Sequence, residues 1–144
     1  MGAGAHDGDT SRATGGFKTP RMKHHRSLLP WQRARELAVK IHRAAARLPA
    51  RERFERGSQL RRAAISVPAS IAEECARHGA AEFAHEASIA LGSLAEVDTL
   101  LDPARELNYL NGETLDRLES LRDRTSAATF ALQRRLRGFS RRAP

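Results

Sequence analysis

The chain has 144 residues and a net charge of +8, and of its 25 Lys and Arg residues only Lys18, Lys23 and Lys40 are lysines. That length suits one domain with a real core, while the single Cys75 rules out an intrachain disulfide and fits a reducing cytoplasm. No apolar run nears the ~20 residues of a membrane span, and the first residues lack the apolar stretch of a secretory leader. Residues 1–27 are rich in Gly, Ser, Thr and charge, so a disordered basic tail is expected there. His24 and His25 lie in it beside Lys23 and Arg26, with no further metal ligand nearby. From Leu28 the pattern turns helical. Trp31, Ala34, Ala38, Ile41, Ala45 and Leu48 step by three and four, and Pro49 ends that helix. Leu60, Ala64, Val67, Ile71 and Cys75 form the inner stripe of a second helix from about Glu52 to Arg77, stopped by Gly79. Pro68 interrupts it at a cost of about 3 kcal/mol, which packing must offset. Phe83, Ala87, Ala90, Leu94, Val97 and Leu101 make a third stripe. Its helix is expected to bend or break at Asp102-Pro103 and to end near Leu107. Asn111 caps the fourth helix, whose stripe is Leu118, Leu121, Thr125, Ala128, Leu132 and Leu136.

No segment alternates with period two, so the expected fold is all-α: an antiparallel up-down four-helix bundle over residues 28–139, with a basic tail at 140–144. The third helix carries a second stripe of small residues, Ala84, Ser88, Gly92 and Ala95. Glycine costs about 1 kcal/mol in a helix interior. Gly92 therefore predicts a close backbone approach, by default inside the bundle and otherwise between subunits.

Candidate chemistry is sparse. Glu82-Phe83-Ala84-His85 has the E-x-x-H spacing of di-iron bundles, but such a site needs a second E-x-x-H and two further glutamates, and the sequence has no second copy. Ser66, Ser70 and Cys75 lack a nearby histidine base. Ser66 is expected to bond a backbone carbonyl near Pro68, and Cys75 to be a buried small residue. Glu73 and Glu96 are expected to meet arginines, Glu73 through Arg77 four residues on and Glu96 through Arg62 across the bundle. Neither a catalytic residue, nor a metal site, nor a cofactor is expected.

Charge is uneven. Between Leu28 and Arg51, six basic residues face the single Glu36; between His78 and Asn108, Arg105 stands alone among six acids. Arg33, Lys40, Arg43 and Arg47 form a ridge opposite the apolar stripe of the first helix. Arg134, Arg135, Arg137, Arg141 and Arg142 follow the last acid, Asp123. An arginine excess suits polyanions, because the guanidinium fork pairs with phosphate at two points. It is equally what a base-composition bias on solvated helix faces produces. The ridge and the acidic helix suit docking between subunits; with Arg61 and both tails, the ridge also suits nucleic-acid phosphate. Trp31 is the one aromatic residue near the ridge, so base stacking has little support.

The run Gln59-Leu60-Arg61-Arg62-Ala63-Ala64-Ile65-Ser66-Val67-Pro68, followed by Ile71-Ala72-Glu73, resembles the four-helix bundle proteins encoded in intervening sequences of bacterial 23S ribosomal RNA genes. The accessory variability protein of diversity-generating retroelements is in the same superfamily. Trp31-Gln32-Arg33-Ala34, Leu48-Pro49 with Glu52, Ile89 through Glu96, and Leu107 through Leu110 are similar to further family segments. The motif residues are thus Trp31, Gln59, Arg62, Ser66, Pro68, Glu73, Arg77, Gly92, Ser93 and Glu96. The resemblance implies a basic, non-enzymatic homopentamer and, in the retroelement branch, binding to nucleic acid and to a reverse transcriptase. The expected function is that of a nucleic-acid-associated accessory factor, RNA or DNA. Its phosphate contacts are assigned to Arg33, Lys40, Arg43, Arg47, Arg61, Arg134, Arg135, Arg137, Arg141 and Arg142. The alternative is a scaffold that binds another protein through the acidic helix and the small-residue stripe.

Overall fold

The structure, a computed structural model, describes residues 25–76 and 80–141 and, of these, the side chains of all but 80–84, 139 and 140. The tail over residues 1–24, Arg77, Gly79 and Arg142 lie outside the described residues, as do the side chains of Glu82 and Phe83. Among the described residues there is no strand. The order is a 3-10 turn at His25–Ser27, then α1 (Leu29–Ala45), α2 (Ala50–Phe54), α3 (Arg56–Ala76), α4 (Ala80–Glu106) and α5 (Gly112–Ser140).

The chain starts α1 with Pro30 in its first turn, where the missing N–H has no helical partner to lose. Ala34, Leu37, Ala38, Ile41, Ala44 and Ala45 face inward. Trp31, expected on that stripe, is only partly buried and packs at its margin. The single helix expected from Glu52 is two: Glu55, with φ −84° and ψ −75°, separates the short α2 from α3. Pro68 is buried within an unbroken α3.

At the end of α4 the expected break at Asp102-Pro103 does not occur. The helix continues to Glu106 with Pro103 inside its last turns, forgoing the one backbone bond that a proline cannot donate. A Schellman motif then closes it. Asn108 adopts φ 56°, the Tyr109 N–H donates to the Ala104 carbonyl at 2.9 Å, and the Asn108 N–H donates to the Arg105 carbonyl at 3.1 Å. The expected cap of the next helix is present, with Asn111 Oδ1 accepting from the Thr114 N–H at 2.7 Å.

The four long helices form a closed square in which α1 packs on α3 and α5, and α4 packs on the same two. Connections 46–55 and 107–111 define the turn end of the bundle. The core changes character along its axis. Toward the turn end it consists of Leu37, Ile41, Leu48, Leu60, Leu94, Val97, Leu101, Leu115, Leu118 and Leu121, all buried. Toward the other end the buried positions pass to Ser70, Glu74, Glu86, Thr125, Thr129 and Gln133. Thr125 and Thr129 donate to the carbonyls one turn back, at 2.7 and 2.8 Å, so their hydroxyls need no partner on another helix. The inner stripes read from apolar residues drift off the true face here. Cys75 is partly exposed while its neighbour Glu74 is 1 % exposed, and Ala128, Leu132 and Leu136 are only partly buried.

Candidate nucleic-acid interface

The arginines fall into two populations. One is engaged in ion pairs near the turn end. Arg56 meets Glu52 at 3.3 Å, Arg105 spans Asp116 at 2.8 Å and Glu119 at 3.0 Å, Arg117 meets Glu113, and Arg122 meets Asp98 at 3.4 Å and Asp123 at 2.6 Å. The hydrogen bonds that Arg105 donates to Asp116, and then to Glu119, hold its guanidinium still more firmly in its charged form. The other population is unpaired among the described residues. Arg43 and Arg47 on the ridge, Arg51 and Arg53 in α2, and Arg134, Arg135, Arg137 and Arg141 at the end of α5 are all exposed and form no ion pair.

The expected ridge is therefore narrower than the sequence suggests. Lys40 is paired with Glu36 at 3.1 Å, because Glu36 lies one turn before it on the same face. Arg33 is partly buried, and its Nε has no hydrogen-bond partner. Arg61 folds back along α3: its Nη2 points at the Arg53 carbonyl at 3.4 Å, and its Nη1 passes 3.3 Å from where a Cβ on Gly57 would stand. The candidates also do not converge on one spot. Arg43, Arg47 and Arg61 lie toward the turn end, and the α5 arginines lie at the opposite end. The 17 residues of α1 alone rise about 25 Å between the two.

The family-like motif residues do converge. Gln59, Arg62 and Ser66 of α3 and Ser93 and Glu96 of α4 line a polar groove of about 480 Å³. Ser93 donates to the Ser66 hydroxyl at 2.9 Å and links the two helices, so Ser66 serves that bridge in place of the expected carbonyl contact. The expected pair of Arg62 with Glu96 is absent among the described residues, although both border this groove. Glu73 is exposed, and its expected partner Arg77 is outside the described residues. Gly92 is exposed as well, and a Cβ there would meet nothing within 4 Å. The default reading of a close approach inside the bundle is thereby corrected.

A second groove of about 660 Å³ runs along the α1–α3 seam. Trp31, Val39, Ile65 and Pro68 line it, with Arg26, Arg35 and Arg43 at its edge. Trp31 sits under the Arg26 guanidinium at 5.5 Å and against the His25 ring at 5.1 Å. Burial, and then the nearby Glu74 carboxylate, push the Cys75 thiol above its ordinary range, which works against a nucleophilic thiolate. Among the described residues no three His, Cys, Asp or Glu side chains group as metal ligands.

Two exposed aromatics escaped the sequence reading. Phe54 is 88 % exposed in α2, and Phe130 is half exposed one turn before Arg134. The helical pattern gives no signal for Phe54, since α2 is too short to show a period. For Phe130 the signal was available: it lies off the expected stripe of Thr125, Ala128 and Leu132.

Fold and surface together define a class, that of small all-helical bundles with a basic exterior and a polar seam between their two central helices. Within that class, the family model described as 23S rRNA-intervening sequence protein matches residues 26–130, and the chain belongs to that family. A comparison with curated proteins finds no match. No helix among the described residues is long and apolar enough to cross a membrane.

Proposed function

We propose that the chain acts as a non-enzymatic, oligomeric accessory protein of the cytoplasm that binds RNA or DNA through phosphate contacts. The observation that carries this reading is the split among its cations. The arginines of the α4–α5 junction are occupied by carboxylates, while Arg43, Arg47, Arg51, Arg134, Arg135, Arg137 and Arg141 are exposed and unpaired among the described residues. Such side chains release counterions when they meet a phosphate backbone, and that release drives sequence-independent binding. A family described by 23S rRNA-intervening sequences is consistent with such a partner. Assembly into a pentamer, as the resemblance implies, would array both basic regions around a ring and multiply weak contacts into avidity. Exposed Gly92, Ile89 and Ile65 on α3 and α4 support such contacts between copies.

A protein scaffold, with a reverse transcriptase or another protein as its partner, is the second reading. It is favoured by α4, where Glu96, Asp102 and Glu106 are exposed beside Gly92 and Ala95. Fluorescence anisotropy with labelled RNA and DNA decides between them. The phosphate reading expects log affinity to fall linearly with log salt, with a slope of about −0.7 to −0.9 per phosphate contacted. Absence of binding to either polymer at low salt overturns it, and recovery of a protein partner after nuclease treatment then favours the scaffold.

A further inference from the structure

Phe54 is the most exposed large apolar side chain among the described residues, at 88 %. Leaving a phenylalanine in water forgoes the favourable burial of its ring. The chain around it is built of charge: Arg51-Glu52-Arg53 precedes it and Glu55-Arg56 follows. Between Leu48 and Arg61 Phe54 is the one exposed large apolar side chain; at the turn end Leu107, on the other connection, is half exposed.

Its immediate surroundings are cationic and held in place. Arg53 Nε donates to the Leu48 carbonyl at 2.9 Å, and Arg61 leans over Gly57 toward the carbonyl just before Phe54 at 3.4 Å. Exposed Arg47 and Arg51 lie on the same connection. The nearest acid but one, Glu52, faces away: it is taken by Arg56 at 3.3 Å and lies 3.4 Å from the Tyr109 hydroxyl. Only Glu55 remains as an exposed acid in α2 or beside it.

An exposed aromatic ring on a connection rich in arginine matches one ligand chemistry closely. Single-stranded nucleic acid presents unpaired bases that stack on aromatic rings while phosphates on either side meet cations. A duplex keeps its bases inside and offers phosphate alone. On the phosphate-binding reading above, we propose that Phe54 is a stacking platform for an unpaired base, flanked by Arg47, Arg51, Arg53 and Arg61 as phosphate contacts. The turn end of the bundle thereby prefers single strands, and the α5 arginines do not discriminate. The reading from sequence, which found little support for stacking, rested on Trp31 and overlooked this side chain.

The test compares a labelled oligouridine with an RNA duplex of equal length, titrated by anisotropy at several salt concentrations. The full chain is compared with Phe54→Ala and Phe54→Trp. Phe54→Ala is expected to weaken single-strand binding about five- to a hundredfold, leaving duplex affinity and the salt slope unchanged. Phe54→Trp is expected to restore the affinity and to add tryptophan emission that the single strand quenches and the duplex does not. Equal loss for both ligands, or loss for neither, overturns the platform while the phosphate reading stands. A changed subunit count in Phe54→Ala, measured by light scattering, also overturns it, since the ring then belongs to a contact between copies. Failure of the unaltered chain to bind either RNA removes the phosphate reading and the platform with it.

Discussion

The α4–α5 junction and the outer face of α1 are both rich in arginine, and they use it in opposite ways. At the junction Arg105, Arg117 and Arg122 each reach a carboxylate on their own or the neighbouring helix. Arg43 on α1 and Arg47 just beyond its end have no ion-pair partner among the described residues and stand in solvent. The difference comes from register. Asp116 and Glu119 lie three apart on α5, opposite Arg105, whereas Glu36, the one acid of α1, is one turn from Lys40 and serves it alone. Net charge therefore overstates the working surface, and ion pairing within the fold decides which cations are free to meet a polyanion.

Substitutions that respect this division should have unequal consequences. The largest effect is expected from replacing Arg43, Arg47, Arg134 and Arg137 with glutamine together. RNA affinity at low salt should drop at least tenfold, with the fold unchanged by circular dichroism. Loss of helicity instead of affinity would break the contrast. Next comes Gly92→Ala. Alanine gains up to about 1 kcal/mol of helix propensity over glycine, and nothing in the chain obstructs it, so urea unfolding of the dissociated protein should shift upward. If copies approach each other at this point, the assembled form should weaken while the salt slope per protomer stays constant, because the unpaired arginines lie elsewhere. Arg105→Gln is expected to lower the melting temperature slightly by releasing Asp116 and Glu119, with no loss of RNA affinity; a matching loss of affinity would place Arg105 among the working cations. The smallest effect concerns Cys75. Its raised pKa means that the fold favours the neutral thiol, so alkylation at pH 8 should be slower than for a free cysteine. That preference favours the fold below the thiol's ordinary range and fades as pH rises through the raised value. Arginine variants that keep the fold should keep this slow rate.

Much of the architecture was legible because leucine, isoleucine and valine at helical spacing mark most of the inner face, although Val39, Ile65 and Ile89 lie outside it. Leu37 escaped the expected stripe, yet Ile41, Leu60, Val67, Leu94, Val97, Leu101, Leu118 and Leu121 all lie where a 3.6-residue period sets them. The reading loosened where the core turns polar. Thr125 lies inward as its stripe predicts, but Glu74, Thr129 and Gln133 also face inward while apolar Leu132 and Leu136 sit nearer the surface, and no hydropathy pattern predicts that inversion. The break at Glu55 was hidden for another reason, since nothing in Arg-Glu-Arg-Phe-Glu-Arg is a strong helix breaker. At the surface, the sequence named the arginines but not their pairing, which depends on contacts between α4 and α5. The motif residues Gln59, Arg62, Ser66, Ser93 and Glu96 meet in one groove because both sets recur at helical spacing on facing helices.

The most direct measurement is the salt dependence of RNA binding for the unaltered chain beside the variant lacking Arg43, Arg47, Arg134 and Arg137. A working exterior of unpaired arginines predicts a steep negative slope for the first, and a slope shallower by about one for each removed arginine that contacts phosphate. Identical slopes for the two proteins would mean that these guanidiniums never meet phosphate, and the proposed role would fall.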